Sequence, residues 1–213
     1  MARPSRIALV VLALAAVFGG GRLVSAWLAE RRRKTVFAAT DAQFLLNPLR
    51  ALVMPVGRTL ERFGVSAGRV VLELGPGPGY YSLEASHRVG PEGRLICLDL
   101  QREMIDRLNT RLSAAGVEAD AGVADATHLP MKEGCIDVAY LVTVLGEIPD
   151  PDAALRELHR VLKRGGTLGF GESFGDPDYV RLGVLREACR RAGFDEVARH
   201  RDLAGYTAVF RAE

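Results

Sequence analysis

The chain has 213 residues, 48% of them hydrophobic, with 28 Lys and Arg against 26 Asp and Glu, enough for one globular domain with an appendage. The charge is unevenly placed: residues 1–34 hold seven basic side chains against the single acid Glu30, which leaves 25 acids against 21 bases in residues 35–213. That mildly acidic remainder gives a nucleic acid no electrostatic reason to bind. Three cysteines without a CxxC pair or a His/Cys ligand spacing indicate neither a disulfide framework nor a metal site.

Ile7 to Leu28 is a 22-residue apolar stretch, interrupted by the glycines at 19–21, Arg22 and Ser25. At about 1.5 Å per residue it is just long enough to cross a hydrocarbon core of about 30 Å. Arg31-Arg32-Arg33-Lys34 outweighs Arg3 and Arg6, so the positive-inside rule places the C-terminal domain in the cytoplasm. The expectation is a single-pass transmembrane anchor with its basic flank at 1–34. The rival is a cleaved signal peptide with Val24-Ser25-Ala26 as its small-residue site, which the basic run opposes. Residues 35–68 form a connector in which Phe44, Leu49, Val53, Leu60 and Phe63 are apolar and prolines 48 and 55 break the run. This lead-in either caps a site, lies on a membrane with Arg50, Arg58 and Arg62 upward, or packs against the sheet as core.

From residue 69 onward strands alternate with helices. Val70 to Leu74 is a buried strand that breaks into Gly75-Pro76-Gly77-Pro78-Gly79, a tight turn built for close approach to the backbone. It is a poor phosphate cradle. The dinucleotide fingerprint needs a third glycine at position 80, which is Tyr80, and Pro76 and Pro78 each remove an N–H donor. The loop suits instead a ligand with an ammonium group, facing the acid Glu73. A helix is predicted over Tyr80–Val89, a strand over Leu95–Asp99, a helix over Arg102–Ala115 ended by Gly116, and a short strand over Glu118–Val123. Ile136–Leu141 is the next strand. Asp150 caps a helix with Pro151 in its first turn, expected to run to Arg164 and to stop at Gly165-Gly166. Thr167–Glu172 is a strand and Tyr179–Ala192 a helix. Two closing strands, near Glu196–Arg199 and Tyr206–Arg211, are joined by a short loop and so antiparallel. This alternation gives an α/β, doubly wound, Rossmann-like seven-stranded sheet with an antiparallel last strand.

Glu73-x-Gly75-x-Gly77-x-Gly79 closely resembles the first motif of the class I S-adenosylmethionine (SAM) methyltransferases. Further landmarks stand in register: Asp99 at the end of its strand, Asp125 in Gly122-Val123-Ala124-Asp125-Ala126, Asp137 opening a strand, and Leu155-Arg156-Glu157-Leu158-His159-Arg160-Val161-Leu162-Lys163-Arg164-Gly165-Gly166, where Arg164 replaces the family's proline. The resemblance spans about residues 45–213, with the methyltransferase domain at 69–213. It implies S-adenosyl-L-methionine as cofactor, with Glu73, Gly75, Gly77, Gly79, Asp99, Met104, Asp125, Ala126 and Leu141 as cofactor-binding residues. Asp99 would take the ribose, Asp125 the adenine, and Met104 would pack on the adenine; unaided, Met104 reads as core. Methyl transfer needs alignment and dryness more than a catalytic triad. A base, if used, must lie at the C-terminal ends of the fourth and fifth strands, where open α/β sheets bind ligands. Glu147 and Glu172 stand there, with Tyr80 and Tyr81 near the loop and Asp176 and Asp178 at a rim. Related quinone-pathway enzymes carry histidine near 147, which leaves the base open.

The resulting expectation is a membrane-anchored SAM-dependent methyltransferase acting on a small lipophilic acceptor: a quinone, phospholipid, phenol or thiol. The alternatives are a non-catalytic SAM-binding membrane protein and a nicotinamide-dependent oxidoreductase.

Overall fold

The computed structural model describes residues 55–202 and 204–213. Thirteen elements succeed one another: α1 (Val56–Phe63), β1 (Val70–Leu74), α2 (Ser82–Val89), β2 (Arg94–Asp99), α3 (Arg102–Ala115), β3 (Asp120–Val123), β4 (Ile136–Val142), a 3-10 turn (Leu145–Glu147), α4 (Pro151–Val161), β5 (Leu162–Ser173), α5 (Leu182–Arg191), β6 (Phe194–Asp202) and β7 (Gly205–Ala212). They build one seven-stranded sheet in the order β3-β2-β1-β4-β5-β7-β6. The five strands β1 to β5 run parallel, and β7 pairs antiparallel with both β5 and β6. The expected mixed sheet is therefore present.

Burial on both faces explains why the central strands read as near-continuous apolar runs. On one face, Leu72, Leu141, Leu155, Leu158, Phe170 and Leu185 close a core under α4 and α5. On the other, Val71, Val138, Tyr140, Ile105 and Leu108 pack beneath α1, α2 and α3. Element ends shift for local reasons. The first helix after the glycines begins at Ser82, with Tyr80 and Tyr81 in the turn. α4, capped by Asp150 through a 2.9 Å bond from Ala153 N, stops at Val161 and not at Arg164. The amides of Gly134 and Cys135 take the Arg160 and Val161 carbonyls (each 2.9 Å), and Leu162 already pairs with Ile136, so the chain is extended before the glycines arrive.

The lead-in helix belongs to the core. Phe63 is fully buried, stacks on Tyr140 with ring centroids 5.7 Å apart, and lies where a Cβ on Gly169 would come within 2.4 Å of its ring. Arg62 does not point to a membrane: its guanidinium donates to Asp202 (2.7 Å) and Thr207 (3.2 Å), stitching α1 to β6 and β7. Phe63→Ala is expected to cost about 3–5 kcal/mol, because the glycine opposite has no side chain to refill the void. Urea unfolding checks it, and a midpoint within error of the parent would refute the packing.

The expected single-pass membrane location, with a cytoplasmic catalytic domain, is corrected. Among the described residues no helix is long and apolar enough to cross a membrane. The stretch Ile7–Leu28 on which that expectation rested, and the basic flank to Lys34, lie outside the described residues.

Candidate active site

The strand order turns between β1 and β4, whose connections leave toward opposite flanks, and such a switch point opens a crevice at the C-terminal strand ends. Gly75 leaves β1 there with φ +71°, its amide on the Leu98 carbonyl at 2.8 Å. A Cβ at Gly75 would lie 2.5 Å from Cγ2 of Val144, just past β4, so the loop and the β4 exit touch with no space between them. Gly79 has φ +86° and meets α3 in the same way, with Leu108 Cδ1 2.6 Å from a Cβ placed there. Between them the Gly77 amide donates to Asp99 Oδ2 at 3.3 Å, while Asp99 Oδ1 accepts from Gln101 N at 2.9 Å. Asp99 thus ties the glycine loop to the entry of α3, and burial raises its pKa.

Glu73 lies beneath the loop, 3% exposed. It accepts a 2.6 Å bond from Ser82 Oγ and a 3.6 Å contact from Cys97 Sγ. Its pKa is raised to about 7, chiefly by burial, against the lowering effect of Ser82, Tyr140 and Cys97. Asp125 is exposed beyond β3; Thr127 N and Oγ1 both donate to its Oδ1 at 2.8 Å, and these bonds hold its pKa down. Ala126 is half-buried beside it. The remaining two expected cofactor residues are interior. Met104 is 2% exposed, and Leu141 is 1% exposed in mid-β4 opposite Phe170. Leu141 belongs to the core on the α4 face.

Glu147 and Glu172 come from the exits of β4 and β5 and share one electrostatic neighbourhood. Glu172 is 4% exposed, accepts from Val180 N at 3.1 Å, and has its pKa raised to about 8 by burial, with Asp176, Asp178 and Glu147 pushing it further. The two exits are in contact, since a Cβ at Gly146 would fall 1.8 Å from the Asp178 carbonyl oxygen. Glu172 lines a small cleft with Pro55 and Thr59 of the α1 region and Asp202, Ala204 and Thr207 of the β6–β7 end. Tyr206 O–H donates to the Val180 carbonyl at 2.7 Å and so steadies the strand-to-helix loop that feeds Glu172 its hydrogen bond.

Sequence reasoning overlooked three features. Thr143, at the end of β4, has φ +56°, the sole non-glycine positive φ among the described residues, held by its amide on the Gly171 carbonyl at 2.8 Å. Strain of that kind concentrates at functional strand ends, and no residue-type signal announces it. Leu100 comes directly after Asp99 and is 55% exposed, an apolar surface beside the expected nucleoside site. Apolar residues just past the acid were the available clue. Third, the family-like segment is structural: Glu157 accepts from Leu129 N at 2.8 Å, and Arg160 donates to Met131 O at 2.8 Å, so α4 fastens the loop after Asp125. Asp137 likewise holds Val70 N at 2.9 Å and Lys163 at 2.8 Å.

The donor set fits SAM. Carboxylates at or near the ends of β1, β2 and β3 suit an ammonium and ribose hydroxyls, and a loop with two prolines offers few amides to a phosphate. Residues 71–166 match the family described as "Methyltransferase domain". A ubiquinone/menaquinone biosynthesis C-methyltransferase of Xylella fastidiosa is 33% identical over 151 residues, covering 65% of this chain and 59% of that protein. A demethylmenaquinone methyltransferase of Lactobacillus johnsonii is 30% identical over 115 residues, covering 53% and 47%. The chain thus spans about half the length of the curated relatives it matches. A SAM-dependent methyltransferase structure from Aquifex aeolicus superposes with a TM-score of 0.78 at 19% identity, covering 84% of this chain and all of that one. Residues 71–166 are thus similar to a methyltransferase domain, and the relatives and the fold that match this chain support S-adenosyl-L-methionine as its cofactor.

Proposed function

We propose that the protein transfers the methyl group of SAM to a small lipophilic acceptor, of which a quinol or phenol is the favoured kind. What supports the transfer is the Gly75–Gly79 loop at the β1–β4 switch point, its central amide on Asp99. The acceptor class is supported by the quinone-pathway relatives alone. Asp99 and Asp125 hold the ribose and adenine ends, with Ala126 beside them and Met104 and Leu141 shaping the site from within. Glu73 sets the loop's charge from below through Ser82. Bound SAM supplies a methyl already activated on a sulfonium, so the chain's own work is alignment and exclusion of water. Glu172 takes the proton that an attacking hydroxyl or activated carbon must lose, and Glu147 keeps the shared site acidic. A carboxyl with a pKa near 8 is matched to that task, since a general base works best when its pKa lies near the working pH.

The test incubates the purified protein with methyl-labelled SAM and either lipid extract or a panel of water-soluble phenols, thiols and amines. Mass spectrometry should find label in a lipid-extract component. Label only in water-soluble acceptors removes the lipophilic class. Binding of SAM without its consumption favours a non-catalytic binder, and uptake of NADH in place of SAM overturns the cofactor assignment.

A further inference from the structure

The glycine loop is held from the sheet side by Leu98 and Asp99, and on its opposite flank by α3. Leu108 and Arg111 lie three residues apart on α3 and therefore on one face of it. Leu108 fills the space a side chain at Gly79 would need. Arg111 Nη1 donates to the Gly79 carbonyl at 2.8 Å and approaches the Pro78 carbonyl at 3.5 Å, across more than thirty residues of chain. Pro76 and Pro78 have no N–H, so at those positions the loop can be fastened only through its carbonyls or its side chains. In a trans peptide the C=O and the next residue's N–H point to opposite sides. Pinning the Gly79 carbonyl on α3 therefore fixes the Tyr80 amide on the side away from α3.

We propose that Arg111 is a positioning residue for the cofactor loop: it holds the Gly79 peptide in the one orientation that receives SAM. The proposal rests on the reading that this loop carries the methionine end of SAM. Lysine is an incomplete substitute, because an ammonium reaches one carbonyl but lacks the planar fork. Arg107, on the same helix and paired with Glu103 at 2.7 Å, serves as the control.

Calorimetric titration with SAM of the full chain, Arg111→Ala, Arg111→Lys and Arg107→Ala separates positioning from folding. A damaged fold lowers the binding stoichiometry, whereas a misplaced loop raises the dissociation constant at unchanged stoichiometry. Arg111→Ala should raise the constant about tenfold, the usual worth of a hydrogen bond from a charged donor. Arg111→Lys should recover part of it, and Arg107→Ala should match the parent. An unchanged constant in Arg111→Ala overturns the proposal, as does a loss confined to stoichiometry. Should Arg111→Ala not fold, an Arg111→Lys constant equal to the parent's overturns it, and a rise of about threefold sustains it. If the parent chain itself fails to take up SAM, the fault lies in the cofactor reading and not in Arg111.

Discussion

Gly75→Ala should lower SAM affinity by about two orders of magnitude. Two costs combine at this position. The φ of +71° costs an L-residue about 1–2 kcal/mol. The new Cβ would lie 2.5 and 2.8 Å from the two γ-carbons of Val144, and relieving such overpacking costs about 1–3 kcal/mol. The strain falls on the crevice floor, where the β1 and β4 exits meet, so the loop moves rather than the sheet. Isothermal titration with SAM measures the loss. The double variant Gly75→Ala/Val144→Ala should recover the steric share and keep the backbone share, a coupling that a double-mutant cycle isolates. Gly90→Ala is the comparison: its φ is +62° but a Cβ there meets nothing within 4 Å, so stability drops by the backbone cost alone, about 1–3 kcal/mol, and SAM binding is unaffected. Binding by Gly75→Ala within threefold of the parent would remove the loop from the site.

Glu172→Gln should reduce turnover by about a hundredfold or more, the usual worth of a positioned general base. It should also erase the rising limb of the pH–rate profile near pH 8, the value to which burial and the neighbouring acids push this carboxyl. The same substitution carries a stability signature of definite sign. Glu172 in the folded state has its pKa raised from 4.5 to about 8, and Glu73 from 4.5 to about 7. Between those limits the folded chain binds more protons than the unfolded one, so stability is full below about pH 4.5 and is lost as pH rises through the folded values. One such group gives a slope of at most about 1.4 kcal/mol per pH unit. Glu172→Gln should about halve the slope from pH 4.5 to 7 and remove it from pH 7 to 8, whereas Glu73→Gln should about halve it below pH 7 and leave the part above 7 unchanged. Denaturant midpoints measured from pH 4 to 9 decide it. A parent chain whose stability rises across this window would show that neither carboxyl is buried as protonated acid. A hundredfold loss without a change in the pH–rate profile would make Glu172 a structural residue.

Much of the crevice was legible because its signals are local. Three alternate glycines after an apolar strand announce a turn that side chains cannot make, and Gly75 and Gly79 both prove to have positive φ. Asp99 declares itself by ending an apolar run. Less legible were Glu147 and Glu172, which the sequence offered as equals: only Glu172 is buried to 4% exposure and lines the cleft. The place of the lead-in stays open in the sequence, between a cap, a membrane surface and core, because the partners of Arg62, Asp202 and Thr207, lie 140 and 145 residues away.

The order of strands and helices, the glycine turn and the acids at strand ends were written in the sequence itself, since strand and helix periodicity, turn chemistry and caps act over a few residues. Everything that depends on which distant segments meet was decided by the tertiary structure. It made the Phe63 helix core, strained Thr143, set Val144 against Gly75 and brought Arg111 to the Gly79 carbonyl. The physical reason is range: a backbone preference is fixed by neighbours in sequence, whereas a contact, a desolvated carboxyl or a shared hydrogen bond exists only after the sheet has brought remote strands together.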